Sequence, residues 1–196
     1  MGTRHLTCVF SNDKMRVAQY GQFDGYPDGA GRSICDFIQS NDMNAFSSKI
    51  EKVTQISEED LKKIHSNFSS NDGWMTLEES NRFAAQHPEF HRNTGSDILS
   101  LIMKSEEGLR VNLATDFAND SLFCEYAYVV NLDTNMLEFY KGFQKEVHSR
   151  GRFASSDSSE DGYYPVKLVD EVSFEKIKEK GRSEEHTSEL QSLRHL

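Results

Sequence analysis

The residues of this chain best equipped for chemistry lie close to its start. Tyr20-Gly-Gln-Phe-Asp-Gly-Tyr-Pro-Asp-Gly-Ala-Gly31 holds four glycines, a proline, three aromatics and two aspartates. Reversing a chain takes only a glycine or two, and exposed aromatic rings mark contact surfaces. Tyr20, Gln22, Asp24 and Tyr26 therefore form a candidate wall for a small polar ligand. The rings supply flat apolar contact, and the amide and carboxylate supply directional hydrogen bonds. Arg4, on the strand expected alongside, would complement an anionic group. The competing reading is a loop buttress, with Asp24 capping its own turn and the aromatics plugging the core. A phosphate cradle fits less well. Gly25, Gly29 and Gly31 do precede a helix start, but Gly-Lys-Ser/Thr and Rossmann spacing are absent and Asp24 and Asp28 repel phosphate.

Hydrolysis is the second chemistry the residue types allow. Gly2-Thr3 opens a strand, and a Thr exposed at a strand head can attack with its own amine as base. A carboxylate pair, Asp24 with Glu125, is the other hydrolytic option. A third reading is a non-enzymatic module that presents Phe23 and Tyr26 to a protein partner.

Three other motifs lose their chemistry on inspection. Phe68-Ser-Ser-Asn-Asp-Gly-Trp-Met-Thr-Leu-Glu-Glu79 imitates a calcium loop. Counting back from Gly73, however, puts Phe68 at the first ligand position. His87-Pro-Glu-Phe-His91 lacks zincin spacing, and Pro88 breaks the helix such a site needs. Cys8, Cys35 and Cys124 are odd in number and widely spaced, which fits reduced thiols in a cytoplasmic setting. No metal and no cofactor is expected. The formal charge of −10, with 32 acidic against 22 basic residues, disfavours nucleic acid. No apolar stretch reaches membrane-spanning length.

The elements that would position these residues follow from periodicity. Leu6, Cys8 and Phe10 alternate along a strand, Asn12-Asp13-Lys14 turns, and Met15 to Tyr20 returns as a hairpin partner. Helices are expected from a cap at Ser33, through Met43 to Val53, from a cap at Ser57, and from a Thr76/Glu79 capping box to a stop at Pro88. A fifth is expected over Ser96 to Lys104. Leu122 to Leu132 reads as a central strand containing Cys124 and Glu125, Met136 to Tyr140 pairs back, and Tyr163 to Val169 is another strand. Ser149 to Gly162 reads as a mobile loop. The expectation is one α+β domain over 1–181, with a mostly antiparallel sheet built from an N-terminal hairpin and C-terminal strands. A helical middle includes a helix-turn-helix insert over about 56–90. Arg182 to Ser192 is the in-frame translation of a widely used sequencing adapter, so 182–196 is set aside from fold reasoning.

Met1-Gly-Thr-Arg4 and Val17-Ala-Gln-Tyr-Gly-Gln-Phe-Asp-Gly-Tyr-Pro-Asp-Gly-Ala-Gly31 resemble a family of uncharacterised phage and fungal proteins with an aromatic-Asp-Gly-Tyr-Pro loop. Thr94-Gly-Ser-Asp-Ile-Leu99, Asp120-Ser-Leu-Phe-Cys-Glu-Tyr-Ala-Tyr128, Phe139-Tyr-Lys-Gly-Phe143 and Tyr163-Tyr-Pro-Val-Lys-Leu168 look similar too. The resemblance implies one soluble domain in which these segments share a fold, and it implies no activity.

Overall fold

The computed structural model describes residues 2–69 and 74–181. The N-terminal alternation produces β1 (His5–Ser11) and β2 (Lys14–Gly21), joined by a two-residue turn. Asn12 and Asp13 both take positive φ there, as such hairpin turns require. The second hairpin is β5 (Tyr126–Asn131) and β6 (Met136–Lys141), followed by β7 (Lys167–Ser173). These five strands form one sheet in the order β2-β1-β5-β6-β7. Every pairing is antiparallel except the central one: β1 runs parallel to β5, with His5 opposite Tyr126 and Thr7 opposite Tyr128. Thr54–Gln55 (β3) and Arg110–Val111 (β4) make a separate short parallel pair. The expected α+β architecture with a mostly antiparallel sheet is what the chain adopts.

The period-2 alternation of β1 sorts its side chains onto two faces. Val9, Val17, Tyr128, Val130 and Phe139 belong to one core cluster with the helices. These helices are α1 (Arg32–Ser40), α2 (Met43–Ile50), α5 (Ile98–Lys104) and α6 (Phe174–Gly181). Leu6, Cys8, Ala18, Ala127, Val129 and Tyr140 belong to the other cluster, covered by irregular chain that carries Ala118, Cys124, Phe153 and Val166. Between α2 and α5 lie α3 (Glu58–Ser66) and α4 (Leu77–Gln86). Ser57 caps α3, and the Thr76/Glu79 capping box closes α4 as the sequence indicates. The calcium-like motif falls partly on Asp72 and Gly73, outside the described residues, as does the adapter segment 182–196. No described helix is long and apolar enough to cross a membrane.

Several local expectations need correction. Cys124 and Glu125 precede β5 rather than lying within it, because Cys124 N–H donates to Asp120 in a turn. Ser33 sits inside α1, which starts after a wide turn at Pro27–Gly31 and uses no side-chain cap. The last strand begins at Lys167, later than expected, and α6 follows it.

The polar stretch over 149–162 is anchored near its start. Arg152 reaches Glu138 on β6, donating from Nε to Oε2 at 2.8 Å and from its terminal nitrogen to Oε1. Tyr140 Oη and Asn131 Nδ2 complete the carboxylate's partners at 2.7 and 2.8 Å. The guanidinium also stacks 3.9 Å over Phe10, and Phe153 enters the core. Burial alone would raise the Glu138 pKa. Arg152, Tyr140 and Asn131 outweigh it and hold the carboxyl below its ordinary range. Arg152→Ala strands this buried charge and should cost about 3 kcal/mol in urea unfolding. Adding Glu138→Gln should restore part of the loss, and no recovery would show that the lost Phe10 stacking dominates.

Candidate functional site

Because β1 and β5 are parallel, their starting ends meet at one end of the sheet, together with the finishing ends of β2 and β6. The residues singled out in the sequence all arrive there, but on two different faces.

On the face away from the helices, Tyr20 Oη donates to Gln22 Oε1 at 2.6 Å. The Tyr20 ring packs edge-on against Phe117, with centroids 5.0 Å apart. Arg4 lies on this face, its guanidinium 4.7 Å from the Phe123 centroid. Glu125 accepts the Arg4 backbone N–H at 3.2 Å, and its Oε1 stands 3.9 Å from Arg4 Nε. That Nε is buried and has no hydrogen-bond partner. Phe143 comes from beyond β6, tied by its N–H to Ser121 O at 2.7 Å. Phe123 and Phe143 are both substantially exposed, at 39% and 52%.

On the helix-bearing face, Tyr26 meets Tyr126 with centroids 6.0 Å apart. Asp24 is exposed and its carboxylate makes no hydrogen bond or ion pair among the described residues. Its backbone O accepts from Ala30 N at 2.7 Å and its φ is +55°. The turn is thus closed by the Asp24 backbone and not by its side chain. Arg4, Tyr20 and Gln22 come together, while Asp24 and Tyr26 lie across the sheet edge from them. Asp24 and Glu125 likewise form no pair, since Glu125 faces Arg4 and the Asp24 carboxylate is not bonded to it.

The residue that sequence reasoning missed is His5. Its parity with Thr7 and Val9 was the available signal, since it places an imidazole on the helix-bearing face. The ring is only 2% exposed, and neither nitrogen has a well-formed hydrogen bond. Three glycines enclose it, two from the Tyr20–Gly31 loop and one from the start of the turn before α5. A methyl on Gly21 would enter the ring. One on Gly25 would stand 2.8 Å from His5 Cβ, and one on Gly95 would stand 2.7 Å from Nε2. Gly95 also has φ +45°, which favours glycine independently. The loop is laced down around this ring by Gly25 N–H to Thr3 O at 3.0 Å and Gln22 N–H to Arg92 O at 2.9 Å. Tyr128 Oη adds a bond to Gly25 O at 2.9 Å.

These environments set the available chemistry. Burial drops the His5 pKa to about 4, against the opposing pull of the Thr3 carbonyl and Asp24. At neutral pH the ring is therefore uncharged, a weak base but able to donate from one nitrogen and accept at the other. Burial raises the Cys8 and Cys124 thiols, which removes thiolate chemistry near neutrality. Thr3 is 7% exposed. No group of three or more potential metal ligands occurs among the described residues.

A histidine that is neutral when folded and easily protonated when unfolded stabilises the fold above about pH 6.5, and that contribution is lost as pH falls towards 4. The loss should be roughly 3 kcal/mol. Urea unfolding at intervals from pH 7 to pH 4 checks this. His5→Gln should flatten that part of the profile, and an unchanged slope would refute the assignment to His5. Gly95→Ala should cost about 1–3 kcal/mol by overpacking the same ring.

No protein-family model, no curated protein and no solved structure matches this chain, so the reading of the site rests on its own geometry.

Proposed function

We propose that this protein binds a small polar ligand at the end of its sheet, beside the Tyr20–Gly31 loop. The observation that carries the reading is local backbone strain. Among the described residues, five non-glycine residues have positive φ. Asn12, Asp13 and Asn135 are turn residues of the two hairpins, where that conformation is required. Asp24 and Phe143, at +55° and +59°, serve no hairpin, and both stand at the opposite end of the sheet. Left-handed conformations of such residues cost about 1–3 kcal/mol each and gather where function requires them. Here they accompany exposed Phe23, Tyr26, Phe123 and Phe143, and the unsatisfied Nε of Arg4. Gln22 and the Arg4 guanidinium would hydrogen-bond the ligand, and Phe123 and Phe143 would cover its apolar part. Tyr20 positions the Gln22 amide.

Kinship with the phage and fungal proteins is part of the same proposal. The stretches that carry that resemblance supply Arg4, the loop, Gly95, Phe123, Glu125 and Phe143, all of which gather at this end.

The test is thermal unfolding of the full chain against a panel of nucleotides and polar metabolites. A ligand held at 100 times its Kd should stabilise wild type by about 2.7 kcal/mol. Gln22→Ala removes a side chain that contacts the ligand and should reduce the ligand-dependent gain. A panel that moves wild type nowhere, or moves the variant equally, would sink the proposal.

A further inference from the structure

Building on the ligand-binding reading above, we infer that the ligand is a small organic anion, a carboxylate or phosphate carried on a flat ring. Its charge is met jointly by Arg4 and by a second arginine, Arg92. The two arginines lie 88 positions apart in the chain, numbered as in the sequence, and the fold brings both to the Tyr20–Gln22 pair. Arg92 is fixed there through its backbone, whose carbonyl accepts the Gln22 N–H at 2.9 Å. Its exposed guanidinium makes no hydrogen bond or ion pair among the described residues. Arg4 is only loosely paired, 3.9 Å from a Glu125 oxygen that already accepts a backbone N–H. Both guanidiniums act on the Tyr20 hydroxyl, where they oppose part of the rise in pKa that burial imposes.

The donor inventory points the same way. Tyr20 donates to Gln22 Oε1, which leaves the Gln22 amide nitrogen as a further donor beside two guanidiniums. Glu125 pairs with Arg4, and nearby Asp120 holds the Leu122 N–H, while the Arg92 guanidinium is paired with no carboxylate among the described residues. Two guanidiniums thus gather at one place in a chain whose formal charge is −10. A neutral molecule covering both arginines would strip water from cations without replacing it, which is costly. An anion repays that desolvation, and a guanidinium's planar fork suits two-oxygen groups. The ring surface comes from Phe123, already stacked beneath Arg4 at 4.7 Å, and from exposed Phe143.

The experiment titrates the full-length, isotope-labelled chain at constant ionic strength with benzoate, phenyl phosphate, benzamide and inorganic phosphate, following backbone amide signals. Benzoate or phenyl phosphate should shift the signals of 20–26 and 121–125, with benzamide weaker by about tenfold or more. Arg92→Gln, an exposed substitution, should keep the melting temperature and weaken the anion by about fivefold or more. The ratio of benzoate to phenyl phosphate affinity distinguishes carboxylate from phosphate. Benzamide binding as tightly as benzoate would overturn the anion and leave the ligand site standing. Inorganic phosphate binding as tightly as phenyl phosphate would overturn the flat ring. Silence from all four probes would overturn both this inference and the site on which it rests.

Discussion

The meeting of Arg4, Phe123 and Glu125 at one end of the sheet depends on one pairing, the parallel ladder between β1 and β5. An antiparallel pairing at that place would send the start of β5 to the far end of the sheet, taking Phe123 and Glu125 away from Arg4. Parallel pairing instead fixes His5 opposite Tyr126. Arg4 then exchanges backbone contacts with Glu125, accepting its N–H at 3.2 Å. Parallel strands cannot be joined by a tight turn. The chain between them is long enough to carry α1 through α5, and it brings Arg92 to Gln22 and Gly95 to His5.

The two faces of the sheet handle buried polarity in opposite ways. Away from the helices, Glu138 is satisfied by Asn131, Tyr140 and Arg152, so its charge is retained inside the protein. On the helix-bearing face His5 has no such company, and it remains inside only by giving up its proton. The first arrangement fixes structure, because each member limits the others. The second leaves both ring nitrogens without a well-formed hydrogen bond, and burial keeps the ring neutral.

Much of the architecture was legible in the sequence because it follows from local rules. The alternation of Leu6, Cys8 and Phe10, the Asn12-Asp13 turn and the Thr76/Glu79 box each specify their element within a few residues. The composition of the Tyr20–Gly31 loop likewise set that stretch apart from an ordinary turn. What stayed hidden was long-range. No spacing in the chain announces that Arg92 lies beside Gln22, or that Gly95 makes room for the His5 ring. Nor does any local signal show the face change between Gln22 and Tyr26. Glu125 was found for its residue type, but its placement in a strand was wrong, since the Asp120 turn ends only at the start of β5. The Gly/Ser-rich stretch over 149–162 read as mobile because its composition is polar, and the Arg152 anchor within it depends on a carboxylate fourteen positions back.

The position of β5 in the chain has a consequence for how the molecule is made. During synthesis β1 and β2 emerge early and can close their hairpin at once. The inner edge of β1, lined by Leu6, Cys8 and Val9, then waits for more than a hundred residues before its partner exists. Contacts of such sequence separation form slowly, and an unpaired edge is a template for association with other chains. The nascent protein is therefore most vulnerable before Tyr126 leaves the ribosome. The end of the sheet where Arg4 meets Glu125 is among the last regions to take shape.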